Sequence, residues 1–212
     1  MPADELPELP PRSFAKIDDA TDDVFYSIPR FVTHIDDGAI AAVTQLYREL
    51  FAPGATILDL MGSWVAHLPP EISYAEVIGH GMNQEELAAN PRYHRWFVHD
   101  LNASPALPLA DASVDAVAIC VSIQYLQQPV AVFREVLRVL RPGGLVAITF
   151  SNRCFPTKAV AIWRALEGDQ HQHLVALYLD RAGFATVEPR TLIDEGLAQD
   201  PLWAVIGRKA GD

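Results

Sequence analysis

From Val114 to Phe150 the chain reads VDAVAICVSIQYLQQPVAVFREVLRVLRPGGLVAITF, two apolar runs flanking an amphipathic segment. The runs Val114–Val121 and Leu145–Phe150 suit strands buried on both faces. Between them Val132, Phe133, Val136, Leu137 and Leu140 recur with a helical period and share one face. Pro129 can open that helix because the first turn has no use for its N–H. Arg138 and Arg141 fall where the helix dipole favours cations, and Pro142-Gly143-Gly144 is expected to stop it. Strand, helix, turn and strand make a βαβ unit, which commits the chain to a parallel sheet.

The remaining segments extend that unit. Residues 1–20, with four prolines and few large apolar groups, read as a flexible arm. Residues 21–55 read as an amino-terminal helical cover: DDVFYSIPRFVTHIDD is amphipathic and aromatic, and Ile40–Phe51 has helical spacing ended by Pro53-Gly54. Residues 56–212 read as the main domain. Strands are expected at Thr56–Leu60, Tyr74–Ile78, Trp96–His99, Val114–Val121, Leu145–Phe150, Ala185–Glu188 and Leu202–Ile206. Helices are expected at Gln84–Asn90, Lys158–Leu166 and His171–Ala182, the last with Gly183 at its C′ position. Seven strands interleaved with helices give an α/β fold, a doubly wound, mostly parallel sheet with helices on both faces.

Charge and motif content narrow the function. A formal net charge of −11 disfavours nucleic acid or an anionic membrane as partner, leaving a small molecule. There is no apolar run long enough for a membrane span and no signal-peptide pattern, and two isolated cysteines make no disulfide framework, so a reducing cytoplasm is expected. The dinucleotide fingerprint, the P-loop and the nucleophile elbow are all missing. His171-Gln172-His173 diverges on a helix, so no metal site is expected. In a doubly wound sheet ligands bind beyond the carboxyl ends of the strands. Those positions here carry Asp59, Met61, Gly62, Ser63 and Trp64; then His80, Gly81, Met82 and Asn83; then Asp100 and Leu101; then Val121, Ser122 and Gln124.

Three strings carry a resemblance to a known family. Asp100 followed by Leu107-Pro108-Leu109-Ala110-Asp111-Ala112-Ser113-Val114-Asp115, then Ser122-Ile123-Gln124-Tyr125-Leu126, then Phe133-Arg134-Glu135-Val136-Leu137-Arg138-Val139-Leu140-Arg141-Pro142-Gly143-Gly144, resemble the class I S-adenosylmethionine-dependent methyltransferases. The resemblance implies a Rossmann-like methyltransferase fold with S-adenosylmethionine as cofactor and a small-molecule acceptor. An alternative is a catalytically silent protein of the same fold that binds S-adenosylmethionine or S-adenosylhomocysteine. Implied cofactor residues are Asp59, Met61, Gly62, Ser63, Gly81, Met82, Asp100, Leu101, Val121 and Ser122. The family's ribose-binding acid after the second strand is matched here by Gly81, with Asn83 or His80 left to substitute. Trp64 fills a place usually small, and Pro69-Pro70 curtail the helix expected next. Acceptor contacts are expected from Arg30, Trp64, Gln124, Asn152 and Arg153. Tyr26 and His34, eight residues apart on one face if their segment is helical, are the expected catalytic groups. Asp111 and Asp115 are expected to serve turns and strand ends.

Overall fold

The computed structural model describes residues 6–211. Seven strands, β1 (Thr56–Asp59), β2 (Glu76–Gly81), β3 (Arg95–Val98), β4 (Val114–Cys120), β5 (Leu140–Phe150), β6 (Thr186–Ile193) and β7 (Leu202–Arg208), form one sheet in the order β3-β2-β1-β4-β5-β7-β6. β1 pairs in parallel with both β2 and β4, and β7 runs antiparallel between β5 and β6. The chain leaves β1 toward one edge and returns at β4 on its other side, so the switch point lies between their carboxyl ends.

The helices are α1 (Asp22–Phe25), α2 (Asp37–Leu50), α3 (Gln84–Ala89), α4 (Pro129–Val139), α5 (Ala161–Arg164) and α6 (Asp169–Ala182). α4 and α6 cover one face of the sheet, with Val132, Phe133, Val136, Val175 and Leu179 fully buried. α2 covers the other with Ala39, Val43, Leu46 and Tyr47. Asp36 caps α2 by accepting a 2.8 Å bond from the Ala39 N–H. Each large apolar side chain so buried contributes roughly 1.5–3 kcal/mol, which is why tertiary packing outweighs local propensity here.

The βαβ unit forms with one shift. α4 ends at Val139, before the Pro-Gly-Gly turn, and the strand begins at once. Pro142-Gly143-Gly144 instead makes a bulge inside β5: Val114 pairs with Leu140 while Ala116 pairs with Leu145, and Gly143 takes φ 74°. Arg141 therefore binds Asp115 at 2.6 Å instead of the helix end, and Asp115 also accepts the Thr56 N–H at 2.7 Å. Asp111 holds Arg138 at 2.6 Å. Both acids are structural, as their positions suggested.

Three other expectations change. Residues 6–20 are docked rather than free: Leu6 is buried, the Ala161 N–H donates to Ala15 O, the Ile162 N–H to Ser13 O, and the Ile17 and Asp18 N–H groups to Thr157 O. The share of the expected arm in residues 1–5 lies outside the described residues. The cover is helical only in α1 and α2, because Pro29 and a run of backbone-to-side-chain bonds hold residues 26–36 in an irregular path. The helix expected at Lys158–Leu166 shrinks to α5. Between β1 and β2 the chain makes no helix at all, consistent with Pro69-Pro70.

Candidate functional site

A cavity of about 300 Å³ opens at the carboxyl ends of β1, β2 and β4, roofed by the cover and by the loop after β5. Its volume sits at the lower end of the roughly 300–1,000 Å³ usual for small-molecule sites. Three non-glycine residues on its wall hold left-handed backbone: Met61 (φ 60°), His67 (φ 48°) and Val121 (φ 45°). Such residues cost of order 1–3 kcal/mol each and persist only where the surroundings over-determine them.

The first turn shows how this is done. The Met61 N–H donates to His80 Nδ1 at 3.0 Å and the Gly62 N–H to His80 O at 2.7 Å, so the turn is pinned to β2. His80 donates from Nε2 to His99 O at 2.9 Å, which fixes its tautomer; burial lowers its pKa to about 4. Asp59, 3 % exposed, accepts the Tyr93 hydroxyl at 2.7 Å. The ring of Tyr93 lies where a Cβ on Gly79 would be, 2.2 Å from it, and its hydroxyl where a Cβ on Gly62 would be. Those glycines admit Tyr93. No cation pairs with Asp59 among the described residues, and desolvation pushes its pKa up to about 7 despite the tyrosine bond.

At the end of β2 a Cβ on Gly81 would lie 2.5 Å from Gly62 O, so no side chain fits there. Neither substitute is free. His80 is bonded at both nitrogens, and Asn83 caps α3 through its oxygen while its amide donates to Tyr26 O and Ser27 O. Beyond β2 a carboxylate does reach the cavity from α3: Glu86, 8 % exposed, which accepts the Ser63 hydroxyl at 2.5 Å and the Arg30 N–H at 2.7 Å. Met82 also lines the wall.

Farther along the sheet, Asp100 and Leu101 line the cavity, Asp100 turning the chain by accepting the Asn102 N–H at 2.8 Å. Val121 and Ser122 close the β4 side; Ser122 is buried and its Oγ has no hydrogen-bond partner among the described residues. Gln124, expected at the acceptor, is outside the wall: its amide donates to Val121 O at 2.8 Å, and it braces that strained residue from behind. Asn152 is also displaced, into a separate open cleft with Glu195 and Asp200; Arg153, which lines both that cleft and the cavity, donates to Asp200 at 2.7 Å.

The roof brings Tyr26, Arg30, His34 and Trp64 together with Phe155. Tyr26 and His34 share no helical face, since the helix ends at Phe25; the irregular path itself carries both to the cavity. Burial, then the charges around it, keeps the Tyr26 phenol protonated, which suits a hydrogen-bond donor rather than a base. His34 packs edge-on to Phe155 at 5.3 Å, and desolvation lowers its pKa, opposed by Glu86 and aided by Arg30. Sequence reasoning missed Tyr93, Glu86, His67 and Phe155. Of these only His67 carried a usable signal, since Pro69-Pro70 leave the residues after the first turn in a loop over the strand ends.

The sheet order and the acid-bearing cavity at its switch point define a doubly wound α/β protein. A methyltransferase-domain model matches residues 61–148, so this part of the chain is similar to a methyltransferase domain. The chain is 35% identical over 136 residues to a malonyl-[acyl-carrier protein] O-methyltransferase of Methylococcus capsulatus, covering 61% of this chain and 49% of that one. It is 33% identical over 135 residues to an uncharacterized methyltransferase of Mycobacteroides abscessus, covering 58% and 51%. The chain thus spans about half the length of these curated relatives. Among solved structures, an S-adenosylmethionine-dependent methyltransferase from Aquifex aeolicus superposes with TM-score 0.59 at 17% identity, covering 81% and 90%. The [4+2]-cyclase SpnF superposes with TM-score 0.62 at 17% identity, covering 90% and 92%. These likenesses establish the fold. Among the described residues no helix is long and apolar enough to cross a membrane.

Proposed function

We propose that this chain binds S-adenosylmethionine in the cavity and passes its methyl group to a small-molecule acceptor. The observation that carries this reading is Asp59, a carboxyl buried at the switch point with no cation beside it among the described residues. A ligand bearing an ammonium and a sulfonium supplies the missing charge, and Ser122 Oγ offers it an unused hydrogen-bonding group. Asp100 and Leu101 suit an adenine, one through a free carboxylate oxygen and the other through an apolar face. The residues present therefore fit the cofactor at its two ends.

Bound there, the cofactor supplies an already activated methyl group, so the protein's part is chiefly placement. Asp59 holds the cationic end, Met61 and Gly62 present backbone at close range, and the roof excludes water. Arg30, Trp64 and Arg153 frame the acceptor, Tyr26 donates a hydrogen bond, and His34 takes a proton where the acceptor carries one. The malonyl-carrier activity named for one relative belongs to a protein this chain matches over only half its length, so the acceptor class is read from this pocket.

Calorimetric titration with S-adenosylmethionine and S-adenosylhomocysteine tests the reading. Both should bind, and a labelled methyl group should pass to some member of a small-molecule panel. Absence of heat from either at millimolar concentration would falsify it. A sharper test concerns Gly81. Restoring the family's acid there, Gly81→Asp, should weaken rather than strengthen cofactor binding. Its Cβ meets Gly62 O, and the forced shift should destabilise the fold by roughly 1–3 kcal/mol. Tighter binding by that variant would show that the first turn yields easily.

A further inference from the structure

Seven histidines stand in the chain, and five of them are tied to backbone: His80, His94, His99, His171 and His173. The imidazoles of the other two, His34 and His67, have no hydrogen-bond partner among the described residues, and both residues line the cavity. They come from different elements, His34 from the cover and His67 from the irregular β1–β2 crossover. Building on the reading of this cavity as a methyl-transfer site, we infer that His34 and His67, with Trp64 and Phe155, form the acceptor subsite, and that the acceptor is an apolar aromatic molecule bearing a phenolic hydroxyl.

The placement of both imidazoles is enforced. His67 holds φ 48°, and its carbonyl accepts the Thr44 hydroxyl at 3.0 Å from α2, so the residue is strained yet anchored. Trp64 donates to Val32 O at 3.1 Å, which fixes the indole at the mouth, and Phe31 meets it edge-on at 6.2 Å. Beside it Phe31 is 50 % and Val32 54 % exposed. Aromatic walls leading to an apolar lip match a flat hydrophobic molecule.

The charges select the functional group. Facing His34 are Glu86 and the Arg30 guanidinium, which lies over Phe25 at 4.5 Å and Phe155 at 5.6 Å; facing His67 is His34 itself. Burial favours the neutral form of both imidazoles, which leaves them able to accept a proton. A carboxylate acceptor needs no base, which leaves both imidazoles without a part, and it would lie beside Glu86. An ammonium acceptor is opposed by Arg30. A phenol, with a pKa of about 10, needs a base and benefits from a guanidinium near its developing oxyanion. The hydroxyl proton moves to an imidazole nitrogen while an oxygen lone pair forms the O–CH₃ bond. The electron pair of the breaking C–S bond stays on sulfur, and the imidazolium later returns its proton to water.

The test uses 1-naphthol as probe, with 1-naphthoate and 1-naphthylamine for comparison, titrated into the full chain saturated with S-adenosylhomocysteine. Naphthol should bind at least roughly tenfold tighter than the other two. With S-adenosylmethionine, His34→Gln and His67→Gln should each lose about 10²-fold in naphthol methylation, with cofactor affinity unchanged. His67→Gly, which suits the left-handed backbone, should fold normally and regain turnover when free imidazole is added. Preference for naphthoate or naphthylamine, or full activity in His67→Gln, would overturn the assignment. Absence of cofactor binding would bring down the methyl-transfer reading first; cofactor binding without naphthol binding would sink the acceptor subsite alone.

Discussion

Asp59→Asn should make the protein more heat-stable at pH 8 while costing it the cofactor. The sign follows from where the proton sits. The Asp59 carboxyl has a folded-state pKa of about 7, raised by burial above its ordinary 3.8. Between those values the unfolded chain gives up a proton that the folded chain keeps, so stability falls as pH rises and levels off above about pH 7. The accumulated loss is on the order of 4 kcal/mol, at 1.36 kcal/mol per pK unit. Asparagine does not ionise, and its carbonyl can still accept the Tyr93 hydroxyl, so the variant escapes the loss. Calorimetric melting should show the two proteins converging toward pH 4 and separating by roughly 10 °C at pH 8. Binding should move the other way: in the native protein a cationic ligand favours the ionised carboxylate, so affinity rises from pH 6 to pH 8 with release of a proton. A variant that melts lower at pH 8 and keeps its affinity would show that Asp59 already has its charge satisfied.

The second large effect is expected at Lys158. This lysine is completely buried, donates to Ala20 O at 2.6 Å, and lies 3.2 Å from Asp18 and 3.4 Å from Asp22. Asp22 is buried too, and it also binds Lys16 at 2.6 Å and the Asn102 amide at 2.8 Å. The cluster joins the docked N-terminal segment, the cover, the loop after β3 and the loop after β5. Lys158→Met leaves two carbonyls and part of a buried carboxylate without their donor, at a cost of about 3–5 kcal/mol. Because Asp22 begins the segment that carries Tyr26, Arg30 and His34, the loss should show as a lower melting temperature, faster proteolysis within residues 13–34, and weaker binding of S-adenosylhomocysteine. Arg181→Ala, which removes an exposed pair with Glu8, should change stability by no more than about 0.5 kcal/mol. Equal effects from the two substitutions would mean that the buried cluster is no more than surface electrostatics.

The βαβ unit was legible because buried strands and an amphipathic helix have distinct periods that tertiary packing reinforces. The bulge at Pro142-Gly143-Gly144 was not. A Pro-Gly-Gly run fits a helix stop as well as a strand irregularity, and only the pairing of Val114 with Leu140 decides between them. At the site, Asp59, Asp100 and Ser122 were reachable because strand ends in such sheets face one crevice. Tyr93 was hidden, since nothing local says that a tyrosine after β2 will lie across Gly79 and reach Asp59. Gly62 was legible only as a site of close approach; that the Tyr93 hydroxyl lies where its Cβ would be was not. Residues 6–20 misled by composition, because proline-rich, polar sequence looks unfolded until Leu6 and Phe14 find a core supplied by distant residues.

The buried lysine also bears on how the protein is made. Its bond to Ala20 spans 138 residues of chain. On the ribosome the N-terminal segment emerges first, yet the lysine, the Thr157 carbonyl and the α5 backbone that receive it are synthesised much later. The segment must wait in solvent while β1 to β5 pair, and the loop-closure entropy of so long a span delays docking further. The roof over the cavity is therefore expected to be among the last parts to assemble, and the cavity is complete only after the fifth strand and the loop beyond it have left the tunnel.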